Sequence, residues 1–190
     1  MAFWSTNDVE PKRNFRFQVE ITKLGSDSVL WWAKTVTTPS FDLSEVEHNH
    51  LDNKYFFPGR ITWNDVTLTL VDPFSIDAVG VTNKLITESK YIVPLVPPTD
   101  ATQRTTMSKI SAAKALGEVK ISVLNADGGI IEVWTLNNAF IKSAKYGDLD
   151  YSNDELRTVE LTFKYDWATC DTTGNSGAVG ASTNFPGASQ

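Results

Sequence analysis

The chain has two histidines, His48 and His50. Residues two apart on an extended strand point to the same face. Glu47 and Asp52 lie beside them, so the donor atoms of a divalent-metal site are at hand. No third ligand stands at helical spacing, and the competing reading is a solvated polar loop. The same histidines would have to supply the base of any Ser-His-Asp hydrolase, but the chain has no G-x-S-x-G elbow. Asp148, Asp150, Asp154 and Glu155 form an acidic group. Paired carboxylates can move protons or hold calcium, but these match no calcium-loop spacing and read as a charged turn. Gly128-Gly129 opens no helix, so it is turn chemistry rather than a phosphate cradle. Six tryptophans raise a further reading, a carbohydrate-binding β-sandwich module. Trp31, Trp63, Trp134 and Trp167 fall in or beside strand patterns, where core or interface roles are more usual. Residue chemistry alone therefore predicts no catalytic centre, no cofactor and no metal.

Composition narrows the classes further. A length of 190 residues suits one domain with a sizeable core. With 41% hydrophobic and 21% charged residues, general disorder is excluded. The net charge of −6 and pI near 4.9 argue against tight nucleic-acid binding, which needs a basic patch for the phosphates. Nucleic acid can still pass close to an acidic surface without sticking. Cys170 is the only cysteine, so neither an internal disulfide nor a cysteine zinc site is expected. The first fifteen residues lack an apolar core of signal-peptide length, and no run reaches the ~20 apolar residues of a membrane span.

The elements that would position these residues are mostly strands. Phe15, Phe17, Val19 and Ile21 alternate with Arg16, Gln18 and Glu20, and 29–36 reads as a second strand making a hairpin with the first. Residues 37–60 read as a long polar arm, bracketed by Pro39 and Pro58-Gly59, with some extended structure between Ser44 and His50. Arms that carry their own polar face often bind a partner. Residues 61–71 read as one strand, with Val66, Leu68 and Leu70 on one face and Thr67 and Thr69 on the other. Asp72-Pro73 then suits a helix start, and Phe74, Ala78, Val81 and Leu85 predict an amphipathic helix over about 73–90. A proline-rich loop leads to a short helix ending at Gly117. Residues 117–136 form the strongest hairpin pattern, turning through Asn125 to Gly129. An extended stretch follows over 138–146, and the last strand covers 156–167, with Val159, Leu161, Phe163 and Tyr165 on one face. From Ala168 the composition turns small, polar and glycine-rich, which predicts a flexible tail over 168–190, with Phe185 a candidate anchor. About seven strands with one main helix predict a mainly β domain over 1–167, a sandwich or barrel of two packed antiparallel sheets flanked by that helix.

Several segments, in order, resemble the tail tube proteins of contractile-tailed bacteriophages. They are Phe17-x-Val19-Glu20-Ile21; the Pro39 segment and the arm closing on Pro58-Gly59; and Thr62-Trp63-Asn64-Asp65-Val66-Thr67-Leu68-Thr69 leading into the helix. Further along are Trp134-Thr135-Leu136-Asn137-Asn138-Ala139-Phe140, Ser152 to Leu156, Val159-Glu160-Leu161-Thr162, and Tyr165-Asp166. The resemblance covers roughly 14–167; the loop over 94–106 and the tail depart from the family pattern.

That resemblance implies homohexameric rings stacked into a hollow tube, with strands of six subunits closing a shared inner β-barrel. The implied partners are further copies of the chain, a sheath protein, a tape-measure protein, baseplate and tail-terminator proteins, and double-stranded DNA passing without tight binding. The implied setting is the virion, assembled in the host cytoplasm. A baseplate tube initiator and a secretion or bacteriocin tube are close variants. On this basis Glu45, Glu47, Asn53, Tyr55, Phe56 and Phe57 are expected in subunit contacts. Thr67, Thr69, Glu160 and Thr162 are expected on the lumen, since a water-filled channel favours polar groups and the aliphatic row packs inward.

Overall fold

The computed structural model describes residues 11–27, 29–92, 106–152 and 154–172. Two four-stranded antiparallel sheets enclose the core. The first sheet orders its strands β1 (Phe17–Ile21), β6 (Val119–Leu124), β7 (Ile130–Asn137) and β10 (Trp167–Thr172). The second orders β2 (Ala33–Val36), β5 (Val66–Val71), β9 (Thr158–Lys164) and β8 (Phe140–Lys145). The period-2 patterns decide which face is buried. Val66, Leu68 and Leu70 sit opposite Phe163, Leu161 and Val159 in register, and all six are essentially inaccessible. Val19, Ile21, Val119, Ile121 and Leu136 close the core from the other sheet. Each such side chain contributes about 1.5–3 kcal/mol by leaving water.

The first two strands do not make the hairpin their patterns suggest. After β1 the chain runs through a 3-10 turn, Thr22–Asp27, and β2 joins the opposite sheet. Leu30 donates its N–H to Val19 (2.8 Å), while the Trp32 carbonyl accepts from Val71 (2.9 Å). The crossing thus bonds to both sheets and buries Leu30 and Trp32 between them. Burying two large side chains outweighs the local pairing a hairpin would give.

The single strand expected over 61–71 is broken at Asn64-Asp65. Asn64 donates through its amide to Asp42 (2.9 Å), and its N–H bonds Ser40 (2.9 Å), which turns the chain into β5. Everything before that turn belongs to a separate ribbon. β3 (Phe41–His50) and β4 (Asn53–Trp63) form a two-stranded hairpin, so the extended structure expected between Ser44 and His50 runs through nearly the whole arm.

Helix α1 spans Ala78–Glu88, starting later than Asp72-Pro73 suggested. Asp77 caps it through Gly80, and Asp72 still contributes by accepting from the Ala78 N–H at 2.8 Å. Phe74 lies before the helix and is fully exposed, while Ala78 and Leu85 face the core. Helix α2, Lys109–Leu116, begins in a capping box from Ser108 to Ser111 and ends at Gly117, whose φ of 70° favours glycine. The two helices pack together over the β8 flank.

β10 corrects the domain boundary placed at 167. Its six residues pair with β7 from Asn137 to Glu132, and Ala168 is 2% exposed. Ala168–Thr172 therefore belong to the sheet. Small polar residues hid the strand, because their burial comes from pairing and not from side-chain size. Phe185, the remainder of the glycine-rich segment and most of the 94–106 loop lie outside the described residues.

Candidate assembly surfaces

The arm is the first unusual surface. Its register places Val46 opposite Phe57, His48 opposite Tyr55 and His50 opposite Asn53, all on one face. Glu45 opposite Pro58, Glu47 opposite Phe56 and Asn49 opposite Lys54 occupy the other. Lys54 and Glu47 pair at 2.8 Å. Phe56 is 58% exposed and Phe57 56%, so apolar rings face water on both sides. An isolated two-stranded ribbon is marginally stable, and exposed aromatic patches mark contact sites.

A bulge shapes the arm near its base. The register shifts between Leu43 and Glu45, and Ser44 Oγ accepts from the Arg60 N–H at 2.8 Å. A Cβ on Gly59 would stand 2.2 Å from that Oγ and 2.9 Å from the Ser44 carbonyl oxygen. Only glycine fits there.

The second surface is the outward face of the β2-β5-β9-β8 sheet. Thr67 pairs with Thr162 and Thr69 with Glu160, so the four lumen candidates form one compact block. The rows extend sideways: Thr35 flanks Thr69, Lys145 flanks Glu160, and Ser143 flanks Thr162. Lys145 binds Glu160 at 2.7 Å. Asp65, at the head of β5, binds Lys142 at 2.6 Å and Lys164 at 2.9 Å. Its hydrogen bond from Lys142, then that from Lys164, holds the Asp65 carboxyl below the ordinary aspartate range. Sequence periodicity finds the threonines. It misses Lys142 and Ser143, because the bulge between Ile141 and Ser143 breaks the alternation.

This face carries two carboxylates against three lysines, and both carboxylates are ion-paired. The chain's negative balance thus lies elsewhere. Glu160 is on this face as expected, but neutralised by its neighbour. Asp148, of the acidic group read as a charged turn, lies outside the strands of the sheet.

The chemical candidates gain little from the fold. His48 and His50 share a face, as strand geometry requires, but face Tyr55 and Asn53 across the ribbon and not a carboxylate. Among the described residues, no group of three or more His, Cys, Asp or Glu could hold a metal. Burial raises the Cys170 thiol pKa, which disfavours the reactive thiolate. Trp31 is 71% exposed and Trp167 47%, while Trp63 packs edge-on against Phe41 at 5.3 Å where arm meets sandwich.

No family model and no curated protein matches the sequence. Solved structures do match in fold, among them chains from contractile injection systems. A chain of the anti-feeding prophage tube-terminating cap superposes with a TM-score of 0.62 at 18% identity, covering 91% of this chain and 100% of that one. A chain of the anti-feeding prophage baseplate gives 0.60 at 14% identity, covering 85% and 96%. A chain of the PVC extracellular contractile injection system, in its sheath-tube complex, gives 0.57 at 17% identity, covering 86% and 93%.

Proposed function

We propose that this chain is a structural subunit of a contractile-tail tube, without enzymatic activity, and that its rings stack into a conduit through which DNA leaves a phage particle. The observation carrying the proposal is the arm: a regular ribbon with aromatic side chains exposed on both faces, attached to a sandwich of tube-protein fold. Such a ribbon needs a second copy to cover it.

The sheet edges supply the ring contact. β2 and β8 are the edge strands of the polar sheet, and all neighbours within it run antiparallel. With four alternating strands, β8 of one copy runs opposite to β2 of the next, so lateral pairing continues the pattern and removes both open edges. The block of Thr67, Thr69, Glu160 and Thr162 would then line the lumen. Paired charges and hydroxyls leave little free field to hold a passing polyanion. Sheath, baseplate, terminator and tape-measure proteins are the partners such a tube requires.

A second reading is a ring that starts or ends the tube, favoured by the likeness to the tube-terminating cap chain. Sedimentation velocity separates the two. A tube subunit gives rings that grow into larger polymers with concentration, whereas a cap gives one ring size that does not grow. A monomer at every concentration would count against both.

A further inference from the structure

Between the edge strands β1 and β2 lies a cleft of about 1090 Å³. Phe15, Phe17, Val36 and Val123 give it apolar walls, and Arg13 and Lys34 stand at its rim. Lys12 reaches in to bind Glu132, whose other oxygen accepts from the Trp134 indole at 2.5 Å. With that pair cancelled, the rim charge is positive in a chain whose net charge is −6.

We infer that this cleft is the receptor for the arm of a second copy. This rests on the tube reading above and names the surface that the arm meets. The chemistry of the two surfaces is complementary. The arm offers aromatic rings, Phe56 and Phe57, with Glu45 and Asp52 as acids; the cleft offers apolar walls with cations at the rim. Burying the rings supplies affinity, and opposite charges fix orientation and suppress wrong docking. The arm cannot turn back into its own cleft, because Ala33 to Ser40, the segment leading into β3, forms one wall. Arm and cleft are different patches, so the contact is head-to-tail. Such contacts close into rings or continue as open polymers, the two modes a stacked tube requires.

Charge reversal tests this in the full-length chain. Glu45→Lys with Asp52→Lys on the arm should reduce polymer yield at least tenfold, as should Arg13→Glu with Lys34→Glu on the cleft. Circular dichroism should show both variants folded. In a mixture of the two variants each self-contact is repulsive, while the unaltered arm of the cleft variant meets the unaltered cleft of the arm variant and the reversed arm meets the reversed cleft. The mixture should therefore assemble with alternating copies, as should a chain carrying all four changes. Polymers unaffected by the cleft reversal, or a combined chain that stays unassembled, would overturn the inference and assign the cleft to another occupant, such as residues 173–190. The tube reading survives that result as long as deletion of the arm still abolishes assembly. Normal polymers after that deletion would sink the tube reading as well.

Discussion

Gly59 bears on the proposed assembly through the shape of the arm. Its missing side chain lets the two arm strands cross the bulge at Ser44. Gly59→Val forces the backbones apart and should misdirect the arm. The sandwich holds no contact at that site, so its melting temperature should move by no more than about 2 °C, while polymer formation is lost. Thermal melting and microscopy of the same sample check both halves. Tyr165 reports on the core beneath the arm's base, where it packs against Trp63 at 5.9 Å. Burial pushes its hydroxyl up to about 12. The folded state therefore holds a proton that the unfolded chain releases near pH 10. Stability from this group is intact below that pH and falls as pH rises from about 10 to about 12. Melting temperatures followed over that range should drop more steeply for the native chain than for Tyr165→Phe; equal slopes would contradict this.

Among the elements, the arm and β10 carry separate consequences. Deleting 45–56 removes most of the ribbon, and the ribbon shares no strand pairing with either four-stranded sheet. The remaining domain should keep its circular dichroism spectrum and fail to stack. Normal stacking would refute the arm's role. β10 instead belongs to the fold: a chain ending at Asp166 loses six paired residues and the buried Ala168. It should melt roughly 5 °C or more below a chain ending at Thr172.

These elements also mark what was legible in the sequence. Strong alternation in 66–71, 119–123 and 158–164 placed the central strands and their buried faces correctly, since one-sided burial imposes period 2. Alternation does not say which sheet a strand joins, so by itself it pairs the first two strands with each other. That choice depends on Leu30 and Trp32, whose burial is a long-range contact. The arm was found by its bracketing prolines, but its ribbon form was hidden by apolar residues on both faces, a pattern with no single buried side. The outward threonines of β5 and β9 follow from alternation. Their partners in β8 were missed at the bulge.

At the scale of the whole molecule, the proposed function rests on surfaces. Two sheet edges, an exposed ribbon and a polar sheet face are each incomplete in one copy. In the proposed tube, lateral pairing of β2 with β8 would cover the edges, and docking of the arm would cover its rings. The most direct measurement is negative-stain electron microscopy of the purified chain at high concentration, with an assembly nucleus added. The account predicts hollow tubes of uniform diameter built from stacked rings. A field of monomers under those conditions would contradict it.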